Sequence, residues 1–227
     1  MLDEIKNVDC MIGLDEIPDK SVDLLIMDPP YSFSRTEGGG IYGSRQHYKE
    51  LKYLAEGITN ELLDTILAKQ KAVNCYIWCN KAQLRQYFDY FEDRGCMYDL
   101  LTWHKTNPIP TCNQKYLSDT EYLFFAKDPG VKIYGSYETK RKWYVSEMNT
   151  KDKDRYGHPT IKPLNIIKNL IINSSEGGGT VLDPFIGSGT TAVAAKLTGR
   201  HYIGFEIDPR YYQIALDRVK EVQTEWF

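Results

Sequence analysis

The sequence predicts a three-layer α/β protein with a mostly parallel sheet, and three features carry the prediction. Short apolar runs that close on a charged, polar or turn residue recur at 22–27, 73–79, 99–104, 121–125, 180–182 and 201–205. Runs of this kind, apolar throughout, suit strands covered on both faces. Helix-periodic stretches lie between several of them, at 58–71, 81–94, 163–174, 190–197 and 210–222, and such alternation builds a parallel sheet flanked by helices. The runs at 99–104 and 121–125 have no helical pattern between them, so this pair is expected as an antiparallel hairpin.

The first run, in SVDLLIMDPPYS, ends at Asp28, Pro29, Pro30 and Tyr31. Two successive prolines lack N–H donors and fix φ, so the strand must stop in a rigid turn. The next stretch, 32–50, is polar with a GGG run and is expected to be a mobile loop, with Arg35 and Arg45 able to meet phosphate as it closes. After the central strands and helices, 128–157 is charged and rich in Tyr without a clear period. Long irregular segments in compact domains usually serve binding. From 127 to 162 there are nine basic residues against five acidic ones, a local charge of +4.

The sharpest pattern is TVLDPFIGSGTTAVAAKLTGRHYIGFEID at 180–208, which reads as strand, glycine-rich turn, helix, strand and acid. Open α/β sheets bind ligands beyond the carboxyl ends of their strands, which is where Asp183 and Pro184 fall. Gly187 and Gly189 let the backbone approach a ligand closely. Glu206 follows Asp183 by 23 residues, the spacing at which such folds set a carboxylate on ribose hydroxyls. The turn has neither GxGxxG nor a GK[ST] phosphate clamp, so a nucleoside cofactor without a phosphate chain fits better.

Composition bounds the remaining choices. At 227 residues, 42% hydrophobic and 26% charged, the chain fits one globular domain over 1–227. No stretch approaches the roughly 20 apolar residues of a membrane span. The start, MLDEIKNVDC, lacks signal-peptide regions, so a cytoplasmic protein is expected. Five cysteines without a CxxC pair suit reduced structural thiols, and no metal site is expected. A net charge of -3 argues against a general nucleic-acid coat but leaves room for a local basic groove.

The chemistry open to Asp28 follows from its position. The exocyclic amino group of adenine or cytosine is a poor nucleophile, because its lone pair is delocalised into the ring. A carboxylate at Asp28 and the Pro29 carbonyl can each accept a hydrogen bond from it, favouring a pyramidal nitrogen as positive charge builds. Tyr31 is suited to stack on a base taken out of a helix. No metal or nucleophilic side chain is required.

Together, DPPY at 28–31, HPTIKP at 158–163 and DPFIGSGTT at 183–191 resemble the amino-DNA methyltransferases. Their order resembles the permuted β-class branch, and the likeness spans nearly the whole chain. The resemblance implies a Rossmann-like methyltransferase fold with a seven-stranded, mostly parallel sheet and one antiparallel hairpin strand. It implies S-adenosyl-L-methionine as cofactor and double-stranded DNA as partner, and it allows a homodimer. Asp28 and Pro29 would hold the target amino group beside the cofactor, Pro30 would stiffen the turn and Tyr31 would stack. Asp183, Pro184, Phe185, Gly187, Ser188, Gly189, Thr190 and Thr191 resemble the loop near the methionine moiety, and Glu206 resembles the acid on the ribose. Asp9 and Cys10 match the place that meets the cofactor's adenine. His158, Thr160, Lys162 and Pro163 resemble the element over the methionine end, although Ile161 stands where the family often has Gln. The segment LLTWHKTNPIPTCN at 100–113 resembles the wall of the target-base pocket, with Trp103, Lys105, Asn107 and Pro108 as its candidates.

The segment 128–157, with Lys140, Arg141 and Lys142, is the candidate DNA-recognition insertion, and a solvated charged loop is its alternative reading. Adenine N6 is favoured over cytosine N4 because relatives acting on cytosine more often carry Ser in place of Asp28. A protein-glutamine or RNA methyltransferase shares the chemistry, but those relatives usually have Asn first and the opposite motif order. An inactive cofactor-binding subunit is the alternative from another class, and the intact DPPY set argues against it.

Overall fold

Eight strands form a single sheet among the residues that the computed structural model describes, which are 2–30, 57–108, 110, 116–148, 155 and 161–222. The strands are β1 (Glu4–Lys6), β2 (Leu24–Met27), β3 (Asn74–Cys79), β4 (Met97–Lys105), β5 (Thr120–Lys127), β6 (Trp143–Ser146), β7 (Thr180–Asp183) and β8 (His201–Phe205). Their order across the sheet is β1-β8-β7-β2-β3-β5-β4-β6. Strand β5 runs antiparallel to both β3 and β4, and every other neighbouring pair is parallel.

The mostly parallel sheet and the antiparallel hairpin agree with the sequence, and the strand count is eight instead of seven. Two strands have no apolar run of their own. β1 is three residues long and pairs with β8. β6 lies inside the charged 128–157 segment and alternates exposed and half-buried residues along the outer edge of β4, so its signal is faint beside the charges around it.

Alternating side chains of the central strands feed two cores. Leu24, Ile26, Tyr76, Trp78, Val181 and Leu123 pack with α4 (Leu164–Ser174), α5 (Thr190–Leu197) and α6 (Pro209–Glu221). Leu25, Met27, Cys75, Ile77, Phe124 and Leu182 pack on the other face with α1 (Cys10–Asp15), α2 (Asn60–Ala68) and α3 (Leu84–Glu92). Burial on both faces explains why these strands read as continuous apolar runs. Phe124 is fully buried and stacks on Phe91 at a centroid distance of 5.4 Å; truncating such a ring to Ala costs about 3–5 kcal/mol. Among the described residues no helix is long and apolar enough to cross a membrane.

Local capping fixes where three helices begin. Asp9 Oδ1 accepts from the Met11 amide at 2.8 Å ahead of α1, and Thr59 Oγ1 accepts from the Leu62 amide at 3.2 Å ahead of α2. Asp208 Oδ1 accepts from the Arg210 amide at 2.8 Å, and Pro209 occupies the first turn of α6. Each such cap is worth on the order of 1 kcal/mol. The caps of α1 and α6 also stand just past the ends of β1 and β8, so they fix the chain where it leaves the sheet.

Candidate active site

Parallel pairing sets the candidate residues along one edge. β7 pairs with β2 through Val181–Leu24 and Leu182–Leu25, so the turns that start at Asp28 and Asp183 leave adjacent strands at the same side. β8 lies beyond β7 and β1 beyond β8, which brings Glu206 and then Asp9 onto the same carboxyl edge. Open α/β sheets place their ligands at this edge. Pro29 is buried beneath the turn, with Asp28 and Pro30 partly exposed on either side of it.

The glycine-rich loop is held from behind. Asp183 is buried; its Oδ1 accepts from the Phe185 amide at 3.1 Å and its Oδ2 from the Thr191 hydroxyl at 2.6 Å. Gly187 and Gly189 take left-handed φ values of 54° and 82°, which suit glycine. A Cβ at Gly189 would also lie 2.8 Å from Ala215 Cβ of α6. From the same helix the buried Arg218 donates to the Ser188 carbonyl at 2.7 Å, the Ser188 hydroxyl at 2.9 Å and the Thr190 hydroxyl at 3.0 Å. The hydroxyls of Ser188, Thr190 and Thr191, expected on a cofactor, thus shape the loop. Pro184 is buried and Phe185 half-buried at the same turn.

Glu206 directly follows β8 and is partly exposed, and its Oε1 accepts from the Asp208 amide at 2.8 Å. Burial pushes its carboxyl up to about 7. Burial does the same to Asp183, also to about 7, with further upward pressure from the carboxylates of Asp28 and Glu206. The three acids lie at the carboxyl ends of β2, β7 and β8, which are neighbours in the sheet. Asn7 donates to the carbonyls of Glu206 at 2.8 Å and Ile207 at 3.2 Å and ties the strand end to the N-terminal segment. Asp9 is engaged in capping α1, and Cys10 is buried in the core with its thiol pushed up to about 12 by burial.

The turn at Asp28 carries an ion cluster. Lys162 Nζ lies 2.8 Å from Asp28 Oδ2 and 3.0 Å from Glu121 Oε2, and Lys105 Nζ lies 2.6 Å from Glu121 Oε1. The Lys162 side chain is only 9% exposed and its ammonium stands 4.7 Å from the centroid of the Trp78 ring, a cation–π distance. Trp78 meets Trp103 edge to face at 6.2 Å. Lys162, expected at the methionine end, thus contacts the Asp28 carboxylate, and Pro163 is buried at the start of α4. Glu121 went unnoticed in the sequence because it reads there only as the polar boundary of a strand. Burial alone would raise its carboxyl, but Lys162 and Lys105 outweigh that and hold it at about 2.

The expected base-pocket residues divide. Lys105 belongs to the cluster. Trp103 is buried, and its Nε1 donates to Ser146 Oγ at 2.9 Å. Asn107 Oδ1 accepts from the Met148 amide at 2.6 Å, so both tie β4 to β6, with Pro108 half-buried at its end. Lys140, Arg141 and Lys142 are exposed ahead of β6, where Arg141 pairs with Glu138 at 2.7 Å and Lys142 pairs with Asp99. A surface depression there is lined by Tyr137, Lys140, Arg141 and Trp143. Trp143 pairs with Thr102, and Lys142 reaches back to Asp99, so this patch lies toward the amino end of β4, away from the edge that carries Asp28. Tyr31, Arg35, Arg45, His158 and Thr160 lie outside the described residues, as do the 32–50 loop and part of 128–157.

A doubly covered sheet with a glycine turn and strand-end acids on one edge is the arrangement expected of a nucleoside-cofactor methyltransferase. Residues 22–217 match the N6/N4 DNA methylase family model, and the chain belongs to that family. The Type II methyltransferase M.HinfI of Haemophilus influenzae is 27% identical over 261 residues, spanning 98% of this chain and 69% of that protein. The Type II methyltransferase M2.LlaDCHI of Lactococcus lactis subsp. cremoris is 29% identical over 234 residues, spanning 93% and 87%. The crystal structure of the M1.HpyAVI–SAM complex superposes with a TM-score of 0.73 at 24% identity, over 95% of this chain and 98% of that one, a likeness of fold. The protein is a DNA methyltransferase with S-adenosylmethionine as its cofactor.

Proposed function

We propose that this enzyme methylates the N6 amino group of adenine flipped out of double-stranded DNA. The observation that carries the reading is the shared edge of Asp28 and the 183–191 loop on the adjacent strands β2 and β7. The cofactor supplies an electrophilic methyl group. Glu206 would accept from the ribose hydroxyls, and the loop backbone shaped by Arg218 would hold the methionine end. Asp28 and the Pro29 carbonyl accept from the two amino hydrogens and direct the nitrogen lone pair at the methyl group. Preorganised acceptors aimed at developing charge act on the transition state more than on the bound substrate. As the new N–C bond forms the methyl–sulfur bond would break and the sulfonium would leave as a neutral thioether, and Asp28 would pass the proton lost from nitrogen to solvent.

The carboxylate at Asp28 supports adenine as the target. Cytosine N4 is the second reading, since the matched family spans both amines. Lys140, Arg141 and Lys142 are exposed cations of the kind that contact DNA phosphates. The test is to incubate duplex DNA with the enzyme and S-adenosylmethionine, digest it to nucleosides and identify the product by mass spectrometry. N6-methyladenine is expected, and N4-methylcytosine without N6-methyladenine would replace the adenine reading.

A further inference from the structure

We infer that Glu121 is a positioning residue for methyl transfer, holding the Lys162 ammonium on Oδ2 of Asp28 and so fixing how the catalytic carboxylate meets the target amino group. The inference rests on the reading that Asp28 receives that amino group.

Glu121 reaches the active edge because β5 runs backwards. Trp103 of β4 pairs with Glu121, and Cys79 of β3 pairs with Tyr122, so the amino end of β5 lies beside the carboxyl ends of β3 and β4. In a wholly parallel sheet this residue would stand at the opposite edge. From there its two oxygens take different cations, Oε1 the Lys105 ammonium at 2.6 Å and Oε2 the Lys162 ammonium at 3.0 Å. Lys162 spans to Asp28 Oδ2 at 2.8 Å, with the Trp78 ring beneath it. Two carboxylates and two ammoniums thus alternate, and each carboxylate of the cluster faces a cation.

A lysine ammonium is a point charge on a flexible stem, able to turn to whichever acceptor is near. Two carboxylates at 2.8 and 3.0 Å, with an aromatic ring 4.7 Å away, restrain the ammonium more than Asp28 does by itself. Glu121 acts through Lys162, which separates it from the residues that meet the reactants. With its carboxyl held at about 2 by the two lysines, it stays charged through the neutral range in which methylation is assayed.

The test is a double-mutant cycle on methyl transfer to duplex DNA, comparing wild type, Glu121→Gln, Lys162→Met and the double variant, with calorimetric titration of S-adenosylmethionine on each. Glu121→Gln is expected to lower kcat about tenfold or more while KM for DNA and cofactor affinity stay within about threefold. In the Lys162→Met background the same change should lower kcat by less than about twofold, because the residue it acts through is gone. A general structural role would instead give multiplying losses and weaker cofactor binding. Glu121→Asp keeps the charge balance and withdraws the carboxylate by one methylene, so it tests the same point if Glu121→Gln folds poorly; a several-fold fall in kcat is expected. Wild-type kcat in these Glu121 variants, or losses that multiply in the cycle, would overturn the inference. Asp28→Ala runs in parallel: full activity in that variant would remove the underlying reading as well, whereas an inactive Asp28→Ala beside an unaffected Glu121→Gln would remove the inference alone.

Discussion

Lys162 Nζ lies 2.8 Å from Asp28 Oδ2, so the family's second motif is anchored on its first. The residue just before α4 and the turn after β2 are far apart in sequence, and one nearly buried ion pair joins them. The DPPY turn is therefore held from the side by a charge as well as by its two prolines.

Replacing Lys162 with Met leaves Asp28 and Glu121 facing each other without the cation between them. Stability is expected to fall by roughly 1–3 kcal/mol near neutral pH, the range for a polar group that loses its charged partner. The sign with pH follows from Glu121, whose carboxyl is held down at about 2. Its contribution is complete above the ordinary glutamate range and is lost as pH falls through about 2. The gap between wild type and Lys162→Met in urea denaturation should therefore narrow as the pH drops below about 4.

Arg218 supports the cofactor loop from behind with three hydrogen bonds to Ser188 and Thr190. Arg218→Met keeps an unbranched apolar stem in α6 but removes those donors and leaves buried acceptors behind. A loss of about 2–4 kcal/mol in stability is expected, since charge-assisted bonds of this kind are worth roughly 1.5–3 kcal/mol each and do not add fully. Cofactor affinity should weaken about tenfold or more by calorimetry.

Cofactor binding is expected to depend on pH through Glu206, whose carboxyl burial raises to about 7. A carboxylate that accepts two ribose hydroxyls binds best when ionised, so affinity should rise between about pH 6 and pH 8 with release of a proton. Calorimetry in two buffers of different ionisation enthalpy measures that release. The unliganded protein should show the reverse trend. Glu206 and Asp183 both keep their protons in the folded state to about 7, so the stability they contribute is full below the ordinary carboxylate range and is lost as pH rises through about 7.

Much of this site could be read from residues that mark strand ends. Asp28, Asp183 and Glu206 each close an apolar run, and parallel order does the rest. The helix at Thr190–Leu197 coincides with its periodic pattern, and the hairpin of β4 and β5 followed from the missing helix between them. Arg218 looked like an ordinary charge on an amphipathic helix, because nothing local shows that it points at a loop 30 residues earlier. Glu121 depends on the register between β4 and β5 and on a lysine 41 residues away. The six-residue α1 is too short to show a period.

The most direct test of the account compares Asp28→Ala with wild type in two assays, methyl transfer to duplex DNA and equilibrium binding of S-adenosylmethionine. With Asp28 engaging the target amine as charge develops, turnover is expected to fall by at least about two orders of magnitude, while cofactor affinity stays within a few-fold. Wild-type turnover in Asp28→Ala, or a collapse of cofactor binding that accounts for the whole loss of activity, would contradict it.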